Sequence, residues 1–123
     1  MEAVYKNEEL LKLTAGSYYI HDAVVARFDI YQQDFKLCID VYFASLNRKL
    51  KREPQLKIHF IDVIEYSFYY HKSYDFYNVE CYKFYKTEKG YYLSLDPYEG
   101  VVGEPSEEDQ DFIWCESVEG YLT

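Results

Sequence analysis

Residues 21–43 read HDAVVARFDIYQQDFKLCIDVYF, two alternating runs separated by a polar break. Val24, Ala26, Phe28 and Ile30 share one parity, and Val25, Arg27, Asp29 and Tyr31 take the other. After Gln32, Gln33 and Asp34 the pattern resumes, with Phe35, Leu37, Ile39, Val41 and Phe43 against Lys36, Cys38, Asp40 and Tyr42. A period of two turns one face to a core and the other to water. Two such runs joined by a short polar connection form an antiparallel hairpin. The expected core therefore includes Phe28, Leu37, Ile39 and Val41, joined by Phe60 from the next run.

Upstream of the hairpin, Asn7 is placed to cap a short helix, with Glu8 and Glu9 in its first turn and Gly16 near its end. Leu10, Leu11 and Leu13 give that helix an apolar stripe. Downstream, residues 44–54 form a polar connection closed by Pro54. A third run follows through Leu56, Ile58, Phe60, Ile64, Tyr66, Phe68 and Tyr70, with Asp62 as the single misfit that marks a bulge or bend. Residues 71–78 read as a turn, 79–86 as a fourth strand, and 87–90 as a tight connection into a fifth strand over 91–95. Asp96-Pro97 ends that strand, 98–110 is a loop, and Phe112, Trp114, Glu116 and Val118 alternate in a last strand. Short strands with no long helix between them give a β-dominated α+β class. The expected architecture is an antiparallel meander, either a curved sheet or a partly open barrel, with one short N-terminal helix, in a single domain over residues 1–123.

The composition narrows the function classes. With 16 Tyr, 8 Phe and one Trp, aromatics make up 20% of the chain, which suits half-buried pleated surface. No apolar run approaches the roughly 18–20 residues that span a bilayer, so no membrane partner is expected. The acidic N-terminus lacks a signal-peptide layout. Cys38, Cys81 and Cys115 are odd in number and widely spaced, as free thiols in a cytoplasmic protein would be. The net charge of −9 is concentrated at one end: from Gly90 onward there are nine acidic residues and no Lys or Arg. The basic cluster Arg48, Lys49, Lys51 and Arg52 stands in a domain of pI near 4.7, which speaks against a nucleic-acid partner.

Familiar catalytic patterns are missing. There is no P-loop, no G-x-G-x-x-G and no G-x-S-x-G. His21-Asp22 reads as a turn or capping device, since neighbours in a strand face opposite ways. His59 and His71 stand apart from other ligand-type residues in the sequence, and no cofactor or metal is expected. Cys81 and Cys115 would act as nucleophiles only beside a histidine. The acidic run Glu104, Glu107, Glu108, Asp109 and Asp111 lacks the EF-hand pattern and reads as a solvated loop.

Between Tyr66 and Tyr85, ten of the twenty residues are Tyr or Phe. A Tyr-rich sheet face either docks a protein or lies under a second layer. The expected partner-binding residues are Tyr69, Tyr70, Tyr74 and Tyr77 with the five acids of 104–111, facing a basic protein. The alternative is a small-ligand or enzymatic domain with an aromatic-lined cavity in a half-open barrel.

The N-terminal helix, the stretch Tyr19-Ile20-His21-Asp22-Ala23-Val24-Val25 and the strand Phe35-Lys36-Leu37-Cys38-Ile39-Asp40-Val41 resemble the β-rich immunity proteins of bacterial polymorphic toxin systems. That resemblance implies a cytoplasmic, non-enzymatic protein that blocks a toxin domain by binding it, and it transfers no catalytic residue.

Overall fold

The hairpin forms where the alternation places it. In the computed structural model, which describes residues 3–46 and 53–122, β2 (Val24–Gln33) pairs antiparallel with β3 (Lys36–Ala44). The other elements are β1 (Ala3–Lys6), α1 (Glu8–Ala15), β4 (Leu56–Ser67), β5 (Lys83–Thr87), β6 (Gly90–Asp96) and β7 (Gln110–Leu122). They build one antiparallel sheet in the order β2-β3-β4-β7-β6-β5, with β1 added to β7. Two three-stranded meanders, β2-β3-β4 and β5-β6-β7, are thus fused by the pairing of β4 with β7. The sheet curves without closing, and the fold class is the β-dominated α+β meander that the alternation implies.

Cross-strand partners share a face, so the register fixes the core. Ile39 lies opposite Phe60, Val41 opposite Ile58, and Phe43 opposite Leu56. All six are fully buried on the inner face. Phe28 and Leu37, also expected inside, are half-buried. The parity of β2 breaks at Ala26: Val25 faces Phe43, yet Arg27 faces Tyr42. This bulge moves Val25 inward and leaves Ala26 exposed, against the uninterrupted alternation. In β4, Asp62 takes a left-handed φ of 59° and the register slips just beyond it, between Val63 and Glu65.

The helix lies on the inner face at the far end of β7. Leu10 is fully buried above Gly120, where an added Cβ would sit 2.4 Å from Leu10 Cδ1. Any larger residue there would force the Leu10 side chain to shift. Asn7 does not cap the helix with its side chain. Its backbone N–H donates to the Val118 carbonyl at 2.9 Å, and its Oδ1 accepts the Val118 N–H at 3.0 Å, carrying the β1–β7 ladder one step further. The helix end is held by Tyr82, whose hydroxyl donates to the Thr14 carbonyl at 2.6 Å.

Three expectations need correction. A strand the alternation did not reveal, β1, pairs with β7. The fourth strand begins at Lys83 rather than at residue 79: the stretch 77–79 instead bonds to the start of β2, through Val25 N–H to Tyr77 O at 2.7 Å and Val79 N–H to Ala23 O at 2.9 Å. Phe35, placed by parity with the core, sits in the β2–β3 turn and is 94% exposed. The basic cluster of residues 48–52 falls in a stretch that, apart from neighbouring Glu53, lies outside the described residues.

That turn is strained. Asp34 (φ 52°) and Phe35 (φ 66°) are both left-handed, the pattern of a two-residue type I′ hairpin turn. Asp tolerates this conformation and Phe does not. Phe35→Gly should therefore raise stability by roughly 1 kcal/mol in a urea melt. An unchanged or lowered midpoint would show that Phe35 makes contacts worth more than its backbone strain.

Candidate protein-docking site

Residues 68–79 run from the end of β4 to the edge of β2, where 77–79 bond to its first residues. We call this segment the strap. Its aromatic rings join those of β2 and β4 in a continuous cluster. Phe28 and Phe68 lie 4.7 Å apart between centroids, Phe28 and Phe76 5.3 Å, Tyr66 and Phe68 5.4 Å, and Phe76 and Tyr77 4.9 Å. Tyr70 packs edge-on against Phe76, and Tyr69 meets Tyr74 at a tilt. Phe28 and Phe68 pack against the core, so the cluster is a prolongation of the core that reaches the surface. There Tyr66, Tyr69, Tyr70 and Tyr77 are 39%, 51%, 61% and 49% exposed. Ile30 and Ile64 are exposed as well.

The strap is fastened from below by carboxylates. Asp111 Oδ1 accepts the Tyr69 N–H at 2.8 Å. The Tyr74 hydroxyl lies 2.6 Å from both Asp111 Oδ2 and Asp96 Oδ2. Burial and the two carboxylates push the Tyr74 phenol well above its ordinary range, so it stays protonated. Beside this anchor opens a cavity of about 250 Å³ lined by Tyr74, Asp75, Glu80, Cys81, Asp96 and Glu99 among others. Four of those residues are acids, and among the described residues no Lys or Arg lines the cavity. Burial and Glu99 push the Cys81 thiol up, the opposite of an activated thiolate. Burial likewise raises Cys115 to about 12.

The acidic loop is organised differently from the solvated stretch expected. Glu104, Glu107 and Glu108 are exposed, but Asp109 and Asp111 are buried. Asp109 accepts Lys83 Nζ at 2.9 and 3.1 Å, the Tyr92 hydroxyl at 2.6 Å, and the N–H groups of Tyr98 and Ser106 at 2.8 and 2.9 Å. Burial alone would raise this carboxyl, yet the hydrogen bonds from Tyr92, Ser106, Lys83 and Tyr98 together hold it below the usual carboxylate range. The loop thus folds around Asp109, because a buried ion pair must have its remaining lone pairs satisfied. Ser106-x-x-Asp109 is the sequence signature of this reciprocal turn, and Lys83 inside an aromatic strand is its partner. Of the nine expected site residues, the structure brings Tyr69, Tyr70, Tyr74 and Tyr77 together with Asp111. Glu107 borders a separate depression with Glu65, Lys89, Tyr92 and Trp114. The acids beside the aromatic cluster are instead Asp75, Glu80, Asp96 and Glu99.

His59, isolated in sequence, is not isolated in space. It lies opposite Asp40 across β3 and β4, with Nδ1 2.5 Å from Asp40 Oδ1, and the Tyr31 hydroxyl bonds the same carboxylate at 3.0 Å. Strand register alone assembles this trio on the outer face; none of the three lines the cavities described above. His21 and Asp22 do lie in a turn, 3.1 Å apart and both half-exposed. Among the described residues no three His, Cys, Asp or Glu side chains are grouped to hold a metal ion. No helix of the described residues is long and apolar enough to cross a membrane.

Asp109→Asn should cost about 3–5 kcal/mol, because Lys83 is left charged and buried. Glu107→Gln with Glu108→Gln should change stability by less than about 0.5 kcal/mol. Asp109 is depressed in the fold, so its contribution is present above the unfolded pKa, about 4, and is lost as pH falls through the folded value. Urea melts across pH check both statements, and equal effects of the two variants would contradict them. Compared with protein-family models, curated proteins and solved structures, the chain matches none.

Proposed function

We propose that this protein is a non-enzymatic binding module that docks a basic protein partner on the aromatic strap. The observation that carries this reading is the junction of an exposed aromatic cluster with a cavity that, among the described residues, is lined by four acids and no Lys or Arg. Tyrosine offers large contact area at little rotamer entropy, and rings already packed on one another are partly pre-organised. The carboxylates of Asp75, Glu80 and Glu99 draw a positive partner in, and the tyrosines hold it. The inner face of the sheet, where a half-open barrel would keep a ligand cavity, is filled by Leu10, Ile39, Phe43, Ile58, Phe60 and Leu93. That filling favours the docking reading over the small-ligand one. Together with the resemblance carried by residues 19–25 and 35–41, it supports an immunity-type role in which a basic toxin domain is blocked by occupation of its surface.

Partners captured from the source cell can be identified by mass spectrometry, produced recombinantly and titrated against variants. Tyr70→Ala and Tyr77→Ala should each weaken binding more than tenfold, the loss of about 2 kcal/mol typical of a central aromatic anchor. Glu80→Gln with Glu99→Gln should slow association and flatten its salt dependence, leaving dissociation nearly unchanged. A partner that is acidic, or whose affinity ignores both sets of substitutions, would overturn the proposal.

A further inference from the structure

The Tyr74 anchor contains more acceptors than protons. A phenol carries one hydrogen, yet Tyr74 Oη lies 2.6 Å from Asp96 Oδ2 and 2.6 Å from Asp111 Oδ2. It can donate to only one of them. With both carboxylates ionised, the second contact would set two acceptors together without a hydrogen. We propose that Tyr74, Asp96 and Asp111 share an additional proton, and that this proton governs how firmly the aromatic strap is held for docking. The inference rests on the docking role of the strap.

Asp111 is where the proton resides. Its side chain is buried in the fold and its oxygens are already committed, Oδ1 to the Tyr69 N–H and Oδ2 to Tyr74. As an acid it donates from Oδ2 to Tyr74 Oη, freeing the phenol hydrogen for Asp96. Burial raises its carboxyl above the usual range and the neighbouring Asp96 raises it further, outweighing the bonds from Tyr69 and Tyr74. Among the described residues, none that lines the adjoining cavity adds a positive charge. Asp75 on the strap and Glu80, Cys81 and Glu99 across the cavity are acidic or neutral, as is Asp96 of β6. On the strap itself His71 is exposed with Nδ1 engaged by Ser73, and Lys72 is exposed. The sign follows from linkage. A carboxyl raised in the fold stabilises below its unfolded pKa, and that contribution is lost as pH rises through the folded value. The strap is therefore fastened at acidic pH and loosened as Asp111 ionises, because two carboxylates then compete for one hydroxyl.

Asparagine at position 111 is a permanent copy of the protonated acid: its Oδ1 accepts from Tyr69, and its Nδ2 donates to Tyr74. It also tolerates the left-handed backbone of Asp111, φ 52°. Amide exchange of Tyr69 and its strap neighbours in the free protein, corrected for the intrinsic rate, reads the switch from roughly pH 4 to pH 8. Wild-type protection should fall at least about tenfold over the range, while Asp111→Asn stays protected throughout. Asp96→Asn, which supplies the missing hydrogen from the other side, should be equally flat and serves if the first variant does not fold. Wild-type protection that ignores pH, or a variant that keeps the wild-type pH dependence, overturns the shared proton. No partner is present, so that result leaves docking standing; a pH-responsive strap in a protein without a basic partner refutes docking alone.

Discussion

The ladder between β4 and β7 is the interaction on which the rest depends. It runs from Leu56 opposite Leu122 to Ser67 opposite Phe112, the longest pairing in the sheet. On its other edge β7 meets β6 over its first half and β1 over its last, with Asn7 filling the gap through its side-chain amide. Two local hairpin systems therefore become one sheet only when strands more than forty residues apart in sequence find each other. Such pairing costs loop-closure entropy before it returns hydrophobic burial. Once formed, it brings Phe60 against Val118 and sets Gly120 under Leu10, so helix, sheet and core close together.

The same strand controls the surface. At its start and just before it two buried carboxylates, Asp111 and Asp109, each organise a segment. Asp109 gathers the acidic loop around Lys83 and Tyr92, and Asp111 fastens the strap through Tyr69 and Tyr74. Their titrations have opposite signs because their surroundings differ. Asp109 has a cation and three further donor groups, whereas Asp111 faces another carboxylate. One loop is thus held more firmly as pH rises above the acid range, and the other less.

Much of the fold was legible because alternation and register share one physical origin, the pleat. The runs 24–30, 35–43 and 56–70 mark β2, β3 and β4, although β4 ends at Ser67, short of the expected Phe68 and Tyr70, and Asp62 marks the bend in β4. What alternation could not show is where the pleat is interrupted: the Ala26 bulge and the turn at Phe35 each displace residues that parity places in the core. The clustering of Tyr69, Tyr70, Tyr74 and Tyr77 was legible from aromatic density, though not whether a second layer covers them; Tyr69, Tyr70 and Tyr77 are exposed. The acids were not legible. Charge counting treats every carboxylate as solvated, but Asp109 and Asp111 are buried by partners from distant strands and from the strap. The trio of Tyr31, Asp40 and His59 was hidden for a related reason, since its members meet only through the register of three strands.

Hydroxyl-radical footprinting of the tyrosines, in the free protein and in its complex with a basic partner, tests the docking face most directly. In the free protein Tyr69, Tyr70 and Tyr77 should be oxidised readily, while Tyr91 and Tyr92, buried in the sheet, stay protected. Adding the partner at low salt should protect the first three and leave the others unchanged, with the protection fading as salt rises. Tyrosines of the strap already protected in the free protein, or left reactive in the complex, would contradict the account.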